Sequence, residues 1–447
     1  MLKTRFVIFN TIHTQKLEST TVKKLRLRPL ISFIALGLIC FLLSHRAEAN
    51  NGLKPIGVTP TSQAMGGTGV AHISTPLTAI SKNPSLMSFI QNLDEGELGA
   101  EAVLGYTDLQ AQAMETSATR YSDQAGSALL PQLGFMFRHS TRVVYDDPTV
   151  DFGFAIITPV DHQVRYDATS ALDRLKVALS VVKIVPSVAY RATEWLSIGF
   201  SPILSVGQFE LNEGVGGSGP STRPSAQDYG SGFMLGASAK FSKVTLGLTY
   251  QTPISYDFEN AFDIDEFGSN NDPTEDTLSL EFPEEIAFGA SLELNRLAFT
   301  GDIRYIAWRH TRGFFKELDW QDQTVLSLGT RYAFSKNLSW MLGYNYAKTP
   351  IRNISSQNGD ETVRLSNREI SKKNRSLING IGFPVFTEHH FTTGFSILIA
   401  DNTSLDWSFI VAPRSDSEQS GSSSAGDFKF TQSSQFVASS LGFHYWF

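Results

Sequence analysis

The connections between predicted strands follow a parity rule, which constrains the fold more than any other feature of the chain. From residue 97 onward, stretches of about ten residues alternate apolar and polar side chains and are separated by turns. The connections after odd-numbered strands are all long, those after strands 4, 6, 8, 10 and 12 are very short, and the one after strand 2 is moderate. Outer-membrane barrels have short turns on one side and long loops on the other, whereas a soluble β-sandwich has no reason to sort its loops.

These stretches predict an all-β fold, a 14-stranded antiparallel transmembrane β-barrel, because an even number of strands returns the chain to the side where it began. The predicted strands are residues 97–106, 131–139, 150–157, 182–191, 195–207, 229–241, 243–251, 283–294, 296–306, 323–334, 338–348, 388–399, 403–412 and 434–447. Tryptophans near strand ends fit the aromatic girdles of a membrane barrel; these are Trp195, Trp308, Trp340 and Trp446.

The final predicted strand alternates most strictly. Its large apolar side chains, Val437, Leu441, Phe443, Tyr445 and Phe447, share one face. The opposite face carries small or polar residues, namely Ser440, Gly442 and His444. This pattern indicates a lipid-facing outside and a polar inside. A terminal Phe447 also resembles the signal that the barrel-assembly machinery recognises, so we expect that machinery to be a partner.

Residues 1–49 have the three parts of a secretory signal peptide. A basic stretch around residues 23–28 precedes an apolar stretch over 30–43, and Ala47-Glu48-Ala49 forms a cleavage site, so the mature chain is expected to begin at Asn50. The single cysteine, Cys40, lies inside this signal. Removal of residues 1–49 leaves 29 basic and 42 acidic side chains, a net charge of −13. This negative charge argues against nucleic acid as a partner.

The stretch from residue 51 to residue 90 has neither strand nor helix periodicity. It contains Gly66, Gly67 and Gly69, which permit close backbone approach or positive φ. Asn83-Pro84-Ser85 follows, and Asn-Pro favours a turn. On composition alone, the segment is either a loosely turned linker or a compact plug inside the barrel.

The two motifs together resemble the N-terminal hatch of the FadL family, although that family usually has Asn-Pro-Ala where this chain has Ser85. FadL-like strand-turn-strand units, at 186–199, 282–308, 328–350 and 383–413, extend the resemblance over most of the mature chain. The resemblance implies a hatch over residues 50–93 and a barrel over 94–447. It also implies an outer-membrane channel, including the TodX branch for aromatic hydrocarbons, which passively takes up long-chain fatty acids or other hydrophobic compounds when the plug rearranges.

A fatty-acid site requires an apolar tunnel and a cation for the carboxylate. Strand alternation directs Asp302, Arg304 and Arg331 into the lumen, and we predict both arginines as carboxylate ligands. Alternatively, they pair with Asp302, Asp406 or plug carbonyls as scaffolding; His444 is also predicted to face inward. The plug side chains predicted to line the tunnel are Met65, Ile80, Leu86, Met87 and Phe89.

The motifs of common hydrolases, nucleotide-binding loops and zinc proteases are absent from the sequence. Glu388-His389-His390 is the one concentration of metal-ligand types, but adjacent residues of a strand point to opposite faces. We therefore predict no catalytic residue, metal or cofactor. Two other functions remain open, a porin for small polar solutes and an outer-membrane enzyme or adhesin.

The long predicted loops differ in composition. Residues 213–225 and 415–426 are rich in Gly and Ser and are predicted to be mobile. Residues 257–285 are acidic, which suits either a solvated surface or divalent ions bridging to lipopolysaccharide, a candidate partner together with outer-membrane lipid. Residues 168–183 have a helical apolar period, which predicts a short helix that collects substrate or packs on a neighbouring loop.

Overall fold

A computed structural model describes residues 51–90, 98–115, 119–122, 128–139, 149–165, 176–212, 225–259, 261, 277–365, 368–383, 385–424 and 426–446. The predicted signal peptide and Phe447 therefore lie outside the described residues. Among those residues, no helix is long and apolar enough to cross a membrane.

The described residues form twenty strands. They are β1 (Leu98–Glu115), β2 (Thr119–Ser122), β3 (Ala128–His139), β4 (Thr149–Arg165), β5 (Lys176–Arg191), β6 (Leu196–Asn212), β7 (Ala226–Phe241), β8 (Val244–Gln251), β9 (Ile254–Phe258), β10 (Leu278–Phe282), β11 (Glu285–Glu293), β12 (Leu297–Ile306), β13 (Gln323–Ala333), β14 (Leu338–Ala347), β15 (Ile354–Asn358), β16 (Thr362–Leu365), β17 (Arg368–Ser371), β18 (His389–Ala400), β19 (Thr403–Ser423) and β20 (Gly426–Trp446).

The long strands pair antiparallel in one continuous series. Within the described residues the order is β1, β3, β4, β5, β6, β7, β8, β11, β12, β13, β14, β18, β19, β20, and β20 pairs again with β1. The register of β20 on β1 runs from Gly99 opposite Trp446 to Glu115 opposite Phe430. The predicted fold class, an antiparallel β-barrel, is confirmed.

Side chains alternate between the two faces of the wall. On β12, Phe299, Ile303 and Tyr305 are exposed on the outside, whereas Thr300 and Asp302 are buried inside. The lipid-facing pattern predicted for β20 is also present, with Leu441 exposed and His444 buried. The short turns, such as residues 242–243 between β7 and β8, mark the periplasmic end of the barrel.

The segment from residue 51 to residue 90, called the plug below, contains three short helices. They are α1 (Pro60–Ala64), α2 (Pro76–Lys82) and a 3₁₀ helix (Pro84–Phe89). Each begins with a proline after a polar N-cap, in which the side chain of Thr59, Thr75 or Asn83 accepts a backbone N–H of the first turn. The plug is almost wholly buried and contacts the inner faces of the strands.

Other helices lie in the long extracellular connections. They are a 3₁₀ turn (Trp308–His310), α3 (Phe314–Glu317), α4 (Lys372–Leu377) and a π-helix (Ile378–Gly382). The short strands β9 and β10 pair with each other, as do β16 and β17, whereas β2 and β15 extend the edges of β1 and β19.

Three sequence-based predictions need correction. Residues 176–183 belong to β5, where Val177, Leu179 and Val181 face inward in strand alternation, so the helix over 168–183 is wrong there; residues 168–175 lie outside the described residues. The stretch 415–423, predicted to be a loop, belongs to β19, which pairs with β20 as far as Ser423 opposite Gly426; residue 425 lies outside the described residues. Trp308 is fully buried inside and not at a membrane interface.

Candidate functional site

The glycines of the plug bring its backbone close to the wall at Gly66 and close to another part of the plug at Gly67. Gly66 and Gly67 have φ of +69° and +85°, which other residues rarely adopt. A Cβ on Gly66 would stand 2.5 Å from the Tyr344 carbonyl oxygen, and one on Gly67 would stand 2.2 Å from the Ile56 carbonyl oxygen. Both positions therefore require glycine.

The wall supplies glycines of its own where the plug touches it, and we call this set the glycine belt. A Cβ added to any of them would stand within 3.0 Å of a plug atom. The belt consists of Gly134, Gly153, Gly199, Gly236, Gly247, Gly289, Gly329, Gly343, Gly394 and Gly442. Several are direct cross-strand partners, such as Gly247 and Gly289, so parts of the belt extend across two neighbouring strands.

Two polar anchors fix the plug within this belt. Asn83 donates through Nδ2 to the Val70 carbonyl at 2.7 Å and to Ser238 Oγ on β7 at 3.1 Å. Ser85 donates to Asn83 Oδ1 at 2.6 Å and also bonds Ser238. The Asn-Pro-Ser motif thus joins two parts of the plug to the wall.

The second anchor is Asp302 on β12. Its Oδ2 accepts the backbone N–H of Gly69 at 2.8 Å and of Val70 at 3.0 Å. A carboxylate that accepts two backbone N–H groups makes charge-assisted bonds, which are stronger than neutral ones. Asp302 therefore binds the glycine-rich segment of the plug rather than one of the arginines.

Above the plug, towards the extracellular end, nine buried aromatic rings form a contiguous set that we call the aromatic cluster. Most come from the long connections, and Trp308, Phe315 and Trp320 meet at centroid distances of 4.6–4.9 Å. The members are Phe209, Tyr256, Phe258, Phe282, Trp308, Phe314, Phe315, Trp320 and Phe383.

The polar atoms of the aromatic cluster are directed to specific partners. Trp308 Nε1 donates to Gln323 Oε1 at 2.8 Å, Trp320 Nε1 donates to Asn379 Oδ1 at 3.0 Å, and the Tyr256 hydroxyl donates to a serine on β6 at 2.7 Å. Burial raises the pKa of the Tyr256 phenol to about 12, so it remains a neutral donor. The rings consequently present an uncharged surface.

Ionic side chains of the plug and of the inner wall lie next to the aromatic cluster, and we call them the charge cluster: Lys54, Lys82, Lys183, Glu285, Asp302 and Arg304. Glu285 is bound by Lys54 Nζ at 2.7 Å and by Arg304 Nη1 at 3.2 Å. Lys183 is 7% exposed and interacts electrostatically with this pair, and Lys82 interacts with Arg304 and Asp302. Lys54 Nζ also lies 5.2 Å from the centroid of the Phe282 ring, which joins the two clusters.

The charge cluster holds more basic than acidic side chains. Four basic side chains, Lys54, Lys82, Lys183 and Arg304, accompany two acidic ones, and one of these, Asp302, is engaged by plug N–H groups. Buried charge without an equal counter-charge is energetically costly. Such an excess of positive charge beside apolar rings can bind an anionic headgroup whose tail is apolar.

The two arginines predicted as carboxylate ligands do not converge. Arg304 is the cross-strand partner of Val325, and Arg331 lies six residues beyond Val325 on β13. This separates the two arginines by about 20 Å along the barrel wall. Arg304 belongs to the charge cluster, whereas Arg331 lies near the periplasmic end beside His72 of the plug.

The predicted apolar tunnel residues are also divided. Ile80, Leu86, Met87 and Phe89 belong to the main apolar core, which is continuous with the aromatic cluster. Met65 packs separately with Ala64 and Met341. Sequence reasoning did not identify Lys54, Lys82 or Lys183; strand alternation from Val181 to Val185 was the available signal for Lys183.

The remaining candidate groups serve other contacts. His389 and His390 point to opposite faces: His389 bonds the Tyr344 hydroxyl at 2.7 Å outside, and His390 is buried inside. Among the described residues, no group of three or more His, Cys, Asp or Glu side chains could hold a metal ion. Asp406 pairs with His444 at 2.7 Å inside the wall.

The model of a protein family, outer membrane protein transport protein (OMPP1/FadL/TodX), matches residues 44–363. The chain belongs to this family. It is therefore an outer-membrane transport protein of a channel family, which confirms the resemblance and the localisation predicted from the sequence. A search of curated proteins finds no significant match.

Solved structures of the same fold match this chain over almost their whole length. The toluene transporter TodX of Pseudomonas putida is 16% identical, with 87% of this chain and 98% of that chain covered and a TM-score of 0.61. A FadL homologue of Pseudomonas aeruginosa is 14% identical, with 89% and 99% covered and a TM-score of 0.64. The toluene transporter TbuX of Ralstonia pickettii is 17% identical, with 86% and 98% covered and a TM-score of 0.56.

Proposed function

We propose that this channel passively takes up long-chain fatty acids, with the carboxylate bound by the charge cluster and the tail by the aromatic cluster. The observation that carries the proposal is the buried excess of cations around Glu285 directly beneath a set of apolar rings. A fatty acid has both complementary parts, one negative charge and one long apolar chain.

The energetics favour an anionic ligand over a neutral one at this place. The buried Lys183 lies within electrostatic range of Glu285, whose ion pairs are with Lys54 and Arg304, so one carboxylate lies among three basic side chains. A ligand carboxylate would compensate this charge through charge-assisted bonds, each contributing about 1.5–3 kcal/mol. The tail would displace loop aromatics such as Phe314 and Phe315, which are buried and both pack on Phe383 of another connection.

The position of the plug supports a route for hydrophobic molecules rather than for polar solutes. Plug side chains Leu77, Ile80 and Met87 belong to the same apolar core as the aromatic cluster. A molecule leaving the charge cluster would meet this apolar surface, whereas a hydrated solute would meet buried, closely packed side chains. Passage then requires the plug to rearrange at the glycine belt.

Neutral aromatic hydrocarbons are a second candidate substrate. Edge-to-face contacts dominate the aromatic cluster, including Trp308 on Trp320 at 67° and Trp320 on Phe383 at 88°. A small aromatic ring can replace one member of such an arrangement. This candidate predicts uptake that does not depend on the cations.

Uptake of radiolabelled oleate and toluene by a transporter-deleted host distinguishes the two candidates. In Lys183→Gln we expect oleate uptake to fall about tenfold or more, since a charge-assisted contact is lost, and toluene uptake to persist. Lys336→Gln removes an exposed lysine at a periplasmic turn and is the matched control. Equal oleate uptake by wild type, Lys183→Gln and Lys336→Gln would reject the carboxylate site, and absence of oleate uptake by correctly folded wild type would reject the fatty-acid proposal.

A further inference from the structure

The lipid-facing side of the wall carries an apolar groove across β8 and β11–β14, called the outer groove below. Its volume is about 630 Å³. The floor consists of two small residues, Ala290 and Gly301, which are direct cross-strand partners. Gly301 faces outward together with Phe299, because strand alternation places both on the same side of β12. The groove therefore opens towards the bilayer and not towards the plug.

Large apolar side chains border this floor. On its periplasmic side Val244, Leu292 and Phe299 are successive cross-strand partners, and all three are exposed. On the next strand Leu328 is the cross-strand partner of Gly301 and is also exposed. A ligand that fills the groove would thus cover apolar surface on several sides, which favours an acyl chain.

Two basic residues lie on the periplasmic turns at the end of the outer groove. Lys243 directly precedes Val244 in the turn after β7, and Arg296 lies in the turn between β11 and β12; both are exposed. The backbone N–H of Glu293 donates to the Lys243 carbonyl at 2.7 Å, so the two turns lie side by side. Arg296 is only three residues from Phe299, about 10 Å along the wall.

The acidic residue nearest to these turns in the sequence is directed away from the groove. Glu293 follows the outward-facing Leu292 on β11 and pairs across strands with Ala298, which is buried inside the barrel. Strand alternation therefore directs the Glu293 side chain inward, whereas the groove lies outside. Basic residues close to a membrane surface attract anionic lipid headgroups.

We propose that the outer groove and the two basic turns bind one anionic phospholipid of the periplasmic leaflet. One acyl chain fills the groove over Ala290 and Gly301, and Lys243 and Arg296 bind the phosphate. A single phospholipid has both parts at this spacing, an apolar chain and a phosphate at the membrane surface. This inference concerns the outside of the barrel and does not depend on the proposed function.

A second copy of the chain fits the outer groove less well than a lipid does. A two-fold axis along the membrane normal would place the same periplasmic turns of both copies at the same level. Lys243 and Arg296 of one copy would then approach those of the other, and juxtaposed like charges disfavour association. The same basic residues favour a phosphate.

The bound chain would cover the wall behind the glycine-rich segment of the plug. Gly329 and Gly343 are cross-strand partners that line the groove through their backbone and face Met65 and Gly66 of the plug on the inner side. Only backbone separates the plug from the lipid at these two glycines. We therefore expect the phospholipid to shield this part of the wall.

Native mass spectrometry of the purified full-length protein tests the proposal, with phosphatidylglycerol and phosphatidylcholine of identical acyl chains as probes. The wild type should retain one phosphatidylglycerol and bind it at least about tenfold more tightly than phosphatidylcholine. The Lys243→Gln, Arg296→Gln double variant should lose this preference. Gly301→Leu, which occupies the groove, should weaken the binding of both lipids about tenfold or more.

Two controls match these variants. The Lys316→Gln, Lys348→Gln double variant removes two exposed lysines at the extracellular end of the barrel and should keep the preference. Ala237→Leu adds the same side chain to a lipid-facing position of β7 outside the groove and should bind both lipids as the wild type does. Heat-modifiable electrophoretic mobility establishes that each variant is folded, and Ala290→Leu replaces Gly301→Leu if the latter does not fold.

Three results would overturn the proposal. Equal binding of the two lipids by the wild type, or a preference that survives in Lys243→Gln, Arg296→Gln, would reject the phosphate contact. Unchanged lipid binding by a folded groove-filling variant would reject the position of the acyl chain. A lipid-free dimer of the wild type that Gly301→Leu dissociates would show that the groove joins two copies of the chain instead.

Discussion

Replacing Asp302 by alanine should loosen the glycine-rich segment of the plug while leaving the barrel intact. Asp302 Oδ2 accepts two backbone N–H groups, from Gly69 at 2.8 Å and Val70 at 3.0 Å, and the site is buried. Loss of each charge-assisted bond costs about 1.5–3 kcal/mol, so the free energy of local opening should fall by about 3–6 kcal/mol. Since about 1.4 kcal/mol corresponds to a tenfold change, the exchange of these two amides should accelerate more than a hundredfold.

Hydrogen exchange of the folded protein, read at plug peptides by mass spectrometry, measures this effect. Asp406→Ala is the matched control, because Asp406 is an equally buried carboxylate of the inner wall whose partner is His444 rather than the plug. Heat-modifiable electrophoretic mobility establishes that both variants are folded barrels. Exchange at Gly69 and Val70 that is unchanged in folded Asp302→Ala would refute the assignment of this carboxylate as the plug anchor.

Two further predictions concern packing inside the barrel. Gly247→Ala places a Cβ 1.9 Å from the Val70 carbonyl oxygen, so we expect a loss of about 1–3 kcal/mol and faster exchange of the plug. Gly301→Ala should behave as wild type, because its Cβ meets the flexible end of Leu328 at 3.2 Å and the Ser327 carbonyl oxygen at an ordinary contact distance of 3.7 Å. Trp308→Phe removes the bond to Gln323 and leaves a buried carbonyl oxygen unpaired, which should cost about 1–3 kcal/mol in thermal unfolding; an unchanged unfolding temperature would contradict this.

The barrel could be predicted because its determinants are local and repeated. Alternation such as Phe299, Ile303 and Tyr305 against Asp302 is visible in one strand, and the parity of loop lengths adds evidence from every connection. The positions at which the strands end were harder to predict from the sequence. Polar stretches such as 415–423 form strand because β20 pairs with them, and this pairing is a tertiary effect that composition does not reveal.

The site was only partly predictable, because its members come from distant parts of the chain. Alternation directed Arg304 and Arg331 inward correctly, but the register between β12 and β13 separates them along the barrel. Lys54 lies in a plug without periodicity, so no pattern could place it on Glu285. Trp308 follows a strand as a girdle residue would, yet the connection after β12 folds back into the barrel and buries it.

The charge cluster is tested most directly by comparing the binding of oleate and oleyl alcohol to the purified protein, since the two ligands share a chain and differ in the carboxylate. Calorimetric titration of the wild type should show that oleate binds at least tenfold more tightly, and this preference should disappear in Lys183→Gln but persist in Lys336→Gln. Equal affinity of the wild type for the two ligands, or a preference unchanged in Lys183→Gln, would contradict the account.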